Sequence, residues 1–227
     1  MISGNIFRLK NHIAEICQKI NRRPEDITIV GITKYSDIET IREALACGLV
    51  HIGESKVQQA LGKYPQLSGA TKHMVGHLQT NKVKAAVDLF DIIQSVDSLH
   101  LAKAIEAQCL KAHRTMQVLV QVNTSGEGQK FGCPMLEADD LLKRVGDLKQ
   151  IQVAGLMTIA PLTDDVYVVR DCFKKLKDLY DQATERFTHS TTVKMKFLSM
   201  GMSDDYPIAL EEGANMLRIG RSIFVNT

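Results

Sequence analysis

The sequence lacks the features that mark several protein classes. Its five cysteines include no C-x-x-C pair, and no apolar run reaches 18 residues, so neither a zinc site nor a membrane span is expected. The N-terminus has no apolar core of the signal-peptide type. The net charge is only +2, which disfavours a nucleic-acid or membrane-surface protein. An odd number of dispersed cysteines is typical of reduced thiols, and we therefore expect a cytoplasmic protein.

The composition is that of an ordinary globular protein, with 44% hydrophobic and 24% charged residues. A chain of 227 residues is long enough for one sizeable core and slightly short for two ordinary domains. No linker-like or low-complexity segment interrupts it, so we expect a single domain over residues 1–227. An amphipathic N-terminal helix is predicted because apolar residues recur three or four positions apart at Ile6, Leu9, Ile13, Ile16 and Ile20.

Apolar, β-branched runs alternate with helical patterns along the whole chain. The runs predict eight strands, over residues 27–33, 50–54, 72–76, 90–96, 116–123, 151–157, 195–200 and 215–220. Alternation with short loops implies parallel strands, and eight such units predict an α/β fold of the (β/α)8 TIM-barrel type. The alternative is an open doubly wound sheet, which more often has five or six strands. The absence of G-x-G-x-x-G after the first strand weakens a dinucleotide-binding interpretation.

A lysine ends the first apolar run, "ITIVGITK". A cation at the end of a buried strand costs desolvation energy unless it has a role, and the site of a (β/α)8 barrel lies at these C-terminal strand ends. Lys34 can bind an anion as an ammonium, or form a Schiff base with a carbonyl as a free amine. Alternatively, it is only the first solvated residue after the strand.

Two small-residue turns follow the seventh and eighth predicted strands. The first contains Ser199, Gly201 and Ser203, and the second contains Gly220 and Ser222. Free backbone N–H groups at such turns bind anions, and barrels often carry a phosphate site at these two positions. Each turn alone is a weak signal, and Ser203 could be only a helix cap. Together they favour a phosphate site.

An amine and a phosphate site together suggest a ligand with an aldehyde and a phosphate, and pyridoxal 5′-phosphate has both. Arg218 lies in the last predicted strand, where it could face the pyridine nitrogen as a donor. It could instead balance the phosphate, or pair with a carboxylate such as Glu54. Met200 and Met202 flank Gly201, and they are positioned to pack near the ring of such a ligand.

The chain resembles the YggS/PROSC family of pyridoxal phosphate homeostasis proteins. The matching stretches run across nearly the whole chain, and they are GITKYS, IGESKVQQ, HMVGHLQTNK, QSVDS, QVNTSGEGQKFG, GLMTI, LSMGMSDD and LRIGRSIF. The resemblance implies an alanine racemase N-terminal-domain-like barrel in which Lys34 carries the cofactor as an internal aldimine. The expected cofactor-binding residues are Lys34, Ser199, Gly201, Met202, Ser203, Arg218, Gly220 and Ser222.

The resemblance also implies a role in intracellular vitamin B6 homeostasis without catalytic turnover. The expected partners are pyridoxal phosphate and possible cofactor-dependent apoenzymes, with neither nucleic acid nor membrane, and a monomer is favoured. Four features depart from the family pattern: Ser55 replaces asparagine, Arg221 replaces threonine or serine, Val225 replaces glycine, and the proline often found a few residues after Lys34 is missing. Two alternatives stay open: a racemase-type enzyme lacking the usual second domain, and an aldolase-type barrel whose lysine attacks its substrate.

Overall fold

Eight parallel strands form a closed barrel in the computed structural model, which describes residues 1–225. The strands are β1 (Thr28–Ile32), β2 (His51–Glu54), β3 (Thr71–Met74), β4 (Ile92–Val96), β5 (Met116–Asn123), β6 (Ile151–Met157), β7 (Val193–Ser199) and β8 (Met216–Ile219). Each strand pairs with the next, and β8 pairs with β1 so that Arg218 lies beside Val30. This closing pair confirms the predicted barrel and excludes the open sheet. A two-residue strand, Cys133–Pro134, adds to β5.

Helices surround the barrel. They are α1 (Ile2–Lys19), α2 (Ile38–Ala46), α3 (Val57–Lys63), α4 (Val83–Leu89), α5 (Leu99–Lys111), α6 (Ala138–Gly146), α7 (Val166–Arg186), α8 (Tyr206–Glu211) and α9 (Arg221–Phe224). Helix α1 precedes the first strand, as expected. Helix α7 begins at Val166 because the Asp165 side chain caps it by accepting from the backbone N–H groups of Tyr167 and Val168. None of the helices within residues 1–225 is long and apolar enough to cross a bilayer.

Two hydrophobic clusters fill the molecule. The larger one lies between the strands and the surrounding helices. The smaller one lies inside the barrel and comprises Val30, Ile92, Leu119, Ala154, Met157, Phe197 and Met216. The remaining interior carries buried polar side chains, among them His73, Gln94 and Arg218. The barrel interior is therefore apolar in one part and polar in another, and the polar part includes residues of the predicted site.

Strands β6 and β7 approach each other too closely for any side chain at Gly155. Its φ is +147°, and a Cβ there would lie 1.8 Å from the carbonyl oxygen of Phe197. The register between the two strands shifts at this point. Glycine is needed because only it adopts this backbone conformation without strain and leaves room for the neighbouring strand.

Helix α1 fastens the beginning of the chain to its last elements. The Asn5 side-chain amide donates to the carbonyl oxygen of Ile223 in α9 at 2.9 Å. The rings of His12 and Tyr206 meet edge to face, which ties α1 to α8 as well. The apolar face of α1 is buried against these helices. The helix thus supports both segments that follow the last two strands.

Candidate functional site

Lys34 and Gly220 lie at neighbouring strand ends. Lys34 occupies the turn after β1, is exposed, and holds its Nζ 4.9 Å from the centroid of the Tyr35 ring. Gly220 follows β8 and packs against β1, so that a Cβ on it would lie 3.6 Å from the Cβ of Ile32. The pairing of β1 with β8 therefore brings the predicted amine and one of the predicted phosphate turns to the same edge of the barrel.

The two predicted phosphate turns meet. The backbone N–H of Ser222 donates to Ser203 Oγ at 3.4 Å, and the N–H of Arg218 donates to the carbonyl oxygen of Gly201 at 3.0 Å. The Arg221 guanidinium forms an ion pair with Asp204 across the junction. Residues 201–204 and 220–222 thus form one surface, which we call the cradle.

The cradle has free backbone donors. Within the described residues, the amide N–H groups of Ser203 and Arg221 donate to no acceptor, whereas the N–H of Met202 donates to Asp205 Oδ1 at 2.5 Å. Gly201 fixes the shape of the first turn, because its φ is +91° and a Cβ there would lie 2.6 Å from the Cβ of Ala209. Uncommitted N–H groups on a rigid turn are suited to a phosphate.

Arg218 is the buried cation of the site. It is 4% exposed, its Nη1 donates to Ser199 Oγ at 2.7 Å, and its Nη2 donates to the carbonyl oxygen of Thr158 at 2.7 Å. Burial lowers its pKa to about 10, although Asp205 acts in the opposite direction. Within residues 1–225 no carboxylate lies at ion-pair distance from Arg218, and Glu54 is paired elsewhere. The alternative in which Arg218 pairs with Glu54 was wrong.

The hydroxyl of Ser199 points into the barrel. Ser199 is fully buried, and its hydroxyl donates to Gln94 Oε1 at 2.7 Å while accepting from Arg218. The Ser199 hydroxyl is therefore already hydrogen-bonded to Arg218 and Gln94 inside the barrel. Ser203 and Ser222, in contrast, are half-buried at the surface of the cradle. Met202 is 38% exposed on the first turn of the cradle.

A clamp that the sequence did not reveal holds the residue before Lys34. The ammonium of Lys63 donates to the carbonyl oxygen of Thr33 at 2.8 Å and to Glu54 Oε2 at 3.1 Å. The Thr33 hydroxyl lies 3.2 Å from the same carboxylate oxygen and 3.1 Å from the Tyr64 hydroxyl. Burial raises the pKa of Tyr64, so this phenol stays neutral. The clamp fixes the backbone at the point where the Lys34 turn begins.

A loop from the opposite side of the barrel reaches the mouth. The ring of Phe131, in the loop after β5, stacks on His77 after β3 with centroids 4.0 Å apart. His77 Nδ1 lies 3.6 Å from Asp97 Oδ2, and this contact holds the His77 ring in place. The polar loop 124–132 therefore lies over the C-terminal ends of β3 and β4, on the rim of the barrel that also carries the predicted site.

The donors present fit a small aldehyde that carries a phosphate. An exposed primary amine, free cradle N–H groups, two hydroxyls and a buried guanidinium gather around the ends of the neighbouring strands β7, β8 and β1. Such groups bind an anion, react with a carbonyl and donate to a ring nitrogen. Within residues 1–225, no three histidine, cysteine or acidic side chains lie close enough together to bind a metal ion.

Known proteins resemble this chain over most of its length. The family model for the N-terminal domain of alanine racemase matches residues 5–227. The pyridoxal phosphate homeostasis protein of Aquifex aeolicus is 36% identical over 221 residues, covering 96% of this chain and 95% of that protein. A crystal structure of an unknown protein from Bifidobacterium adolescentis has a TM-score of 0.93 at 30% identity, covering 98% of this chain and 94% of that one. PipY of Synechococcus elongatus, solved with PLP bound, has a TM-score of 0.80 at 32% identity, with 93% and 99% covered.

Proposed function

Because the chain belongs to the pyridoxal phosphate homeostasis protein family, we propose that it binds pyridoxal 5′-phosphate and takes part in intracellular vitamin B6 homeostasis. The observation that carries the proposal is the meeting of Lys34 with the cradle at neighbouring strand ends. A relative of the same fold that was solved with PLP bound supports the choice of ligand.

Each part of the site has a role toward this cofactor. The N–H groups of Ser203 and Arg221, with the turns at Gly201, Gly220 and Ser222, would hold the phosphate. When bound, the cofactor supplies an aldehyde that condenses with a primary amine, and Lys34 would provide that amine. Arg218 would donate to the pyridine nitrogen, and Met202 would pack beside the ring.

Two of the buried contacts serve these groups indirectly. Ser199 bonds to Arg218 through its hydroxyl and would hold the guanidinium in place, instead of binding phosphate itself. The clamp of Lys63, Glu54 and Thr33 would hold the Lys34 turn at a fixed distance from the cradle. A fixed backbone at the Lys34 turn and a rigid anion site lower the entropy lost when one ligand engages both.

We propose that the protein binds its cofactor without catalytic turnover. A racemase needs an acid or base on each face of the substrate, and Lys34 serves only one face. Tyr206 does not supply the second, because it is buried, bonds to His12 of α1, and has its pKa raised by burial. One face of the His77 ring is stacked on Phe131, and the Tyr35 ring lies against the ammonium of Lys34 instead of facing it across a ligand. The names of the relatives, which describe homeostasis proteins, support the same proposal.

We extend the proposal to the setting of the protein. The exposure of Lys34 supports transfer of the cofactor to cofactor-dependent apoenzymes, because a second amine can reach the site from solvent. The five free cysteines support a cytoplasmic location, where thiols stay reduced. We also propose that the protein is a monomer in which residues 1–227 form one domain. Sedimentation of the cofactor-loaded protein, which measures its mass in solution, tests the monomer.

Titration with pyridoxal phosphate tests the central assignment. The purified protein should turn yellow, and borohydride should bleach it while fixing one pyridoxyl group on Lys34. Lys34→Ala should lose the visible band and the adduct but retain weaker binding, because the cradle is a separate site. Lys56→Ala is the matched control, since Lys56 is another exposed lysine beside a strand end. A wild-type protein that stays colourless, or a Lys34→Ala variant that forms the same adduct, would overturn the proposal.

A further inference from the structure

A line of hydrogen bonds crosses the interior of the barrel. His51 Nδ1 lies 3.0 Å from His73 Nε2, and His73 Nδ1 lies 2.8 Å from Gln94 Nε2. Gln94 Oε1 accepts from Ser199 at 2.7 Å, and Ser199 Oγ accepts from Arg218 at 2.7 Å. We call His51, His73, Gln94, Ser199 and Arg218 the interior line. It runs from a half-buried histidine near the N-terminal ends of the strands to the cation of the proposed cofactor site.

The interior line is costly for the fold. His73, Gln94 and Ser199 are all 0% exposed, so water can reach none of their polar atoms. Burying polar groups costs free energy even when they are fully bonded, and other interior positions of the same barrel are apolar. An apolar side chain at position 94 would fill the barrel at lower cost. The line therefore requires an explanation other than packing.

The donors in the interior line all point the same way. A guanidinium only donates, so the Ser199 hydroxyl accepts from Arg218 and turns its own proton toward Gln94 Oε1. The Gln94 amide nitrogen then faces His73 Nδ1 and donates to it. The remaining proton of His73 lies on Nε2, which donates to His51. Every group in the line thus presents its acceptor toward Arg218.

Both histidines of the line are neutral in this arrangement. Burial, and to a smaller extent the neighbouring His51, lower the pKa of His73 to about 3. The pKa of His51 is also lowered, chiefly by burial and then by Lys196. A protonated ring at either position would place a second donor against the next donor in the line. The direction of the hydrogen bonds is therefore fixed at neutral pH.

We propose that Gln94 is a positioning residue for Arg218, and that the interior line holds this buried cation in place with oriented dipoles, since no carboxylate among residues 1–225 pairs with it. The inference rests on the proposed function, because Arg218 matters only if it faces a ligand. Its consequence is that the guanidinium keeps its full charge and its remaining N–H groups for the cofactor. A paired carboxylate would neutralise the charge, whereas a line of neutral groups does not.

Substitutions at position 94 separate positioning from packing. Gln94→Met keeps the length of the side chain but removes the acceptor for Ser199. Gln94→Glu keeps that acceptor and removes the donor toward His73. If position 94 only fills space, methionine is tolerated better than a buried glutamate. If it positions Arg218, glutamate retains the cofactor better than methionine. Ser95→Ala is the matched control, since Ser95 is buried on the same strand and its hydroxyl has no partner in the part of the chain that the structure describes.

The measurements are the dissociation rate and the visible absorption maximum of bound pyridoxal phosphate. We expect Gln94→Met to release the cofactor about 10-fold faster and to shift the visible band. Without Gln94 the Ser199 hydroxyl is no longer oriented, and the charge-assisted hydrogen bond that Arg218 would donate to the cofactor is weakened as a result. Gln94→Glu should stay within about 3-fold of wild type, and Ser95→Ala should match it. Equal retention in Gln94→Met and wild type overturns the inference while leaving the proposed function intact. A wild-type protein that binds no cofactor overturns both.

A cofactor-free measurement keeps the inference testable even if a variant fails to fold. Nitrogen-15 NMR of histidine in the wild-type protein should show His73 neutral at pH 7, with its proton on Nε2 and none on Nδ1. A His73 proton on Nδ1 would reverse the line and overturn the inference. In folded Gln94→Met, the Nδ1 signal of His73 should shift, while Ser95→Ala should leave it unchanged.

Discussion

Removal of one lysine should reveal the clamp beneath the Lys34 turn. Lys63→Met deletes an ammonium that lies 3.1 Å from Glu54 Oε2 and 2.8 Å from the carbonyl oxygen of Thr33. The Glu54 side chain is 0% exposed and that of Lys63 is 16% exposed. The variant therefore leaves the buried Glu54 side chain without its cation.

The magnitude follows from the contacts that remain. Breaking a buried ion pair by removing one partner costs about 3–5 kcal/mol. Glu54 keeps the backbone N–H of Ser55 at 2.9 Å and the Thr33 hydroxyl, so the lower end, about 3 kcal/mol, is expected. For a chain of this size that is a fall in Tm of about 6–12 °C. Typical stabilities of about 5–15 kcal/mol leave the variant folded.

Urea unfolding followed by circular dichroism measures the effect. Lys56→Met is the control, because Lys56 is exposed near the start of the same helix and should change stability by less than about 0.5 kcal/mol. Adding Glu54→Gln to Lys63→Met should restore much of the loss, since an amide needs no counter-ion. A Lys63→Met variant as stable as the Lys56→Met control would refute the reasoning, because the buried carboxylate would then not depend on Lys63.

Three further predictions concern pH, thiols and backbone. Because the pKa of His73 is about 3 in the folded protein against 6.5 for a free histidine, its contribution to stability is complete above pH 6.5 and is lost as pH falls toward 3. Between pH 7 and pH 5 the wild type should lose about 2 kcal/mol more in urea unfolding than His73→Gln, and equal losses would contradict the burial of this ring. A thiol reagent should modify Cys47 rapidly in the native protein and all five cysteines after denaturation, because the other four are buried and burial raises the pKa of Cys109 to about 11. Rapid native reaction of Cys109 would count against this packing. Gly201→Ala should destabilise the protein by about 1–3 kcal/mol and weaken phosphate binding, since its φ is +91°. Gly62→Ala, in α3 with open space around it, should instead be neutral or stabilising by about 0.5–1 kcal/mol, and equal effects of the two changes would contradict the strain at Gly201.

The barrel could be predicted because its signals are local and repeated. Each strand is a short apolar run followed by a helical pattern, and eight repeats of that unit point to closure. The cradle could be predicted in part, since Gly201, Ser203, Gly220 and Ser222 stand in recognisable turns. That the two turns touch each other depends on the positions of β7 and β8 in the barrel, which no local pattern gives.

The buried polar contacts could not be predicted. Lys63 lies in α3, and its approach to Glu54 and Thr33 depends on how that helix packs on two strands. The strands are buried on both faces, so alternation does not reveal that His73 and Gln94 point inward. The direction of the Ser199 hydroxyl was missed for the same reason: the sequence places it beside the phosphate turn, whereas its partners lie inside the barrel.

The packing of α1 on α8 and α9 has a consequence for protein synthesis. A ribosome releases α1 first, but the contact between Asn5 and Ile223 joins residues 218 positions apart. Until the last strand and α9 have emerged, the apolar face of α1 contacts early elements such as α2 but lacks its contact with α9, and one of the two turns of the cradle is missing. Contacts between such distant residues slow folding. A nascent chain without β8 and α9 therefore lacks part of the proposed phosphate site, so binding at the cradle has to follow the synthesis of these elements.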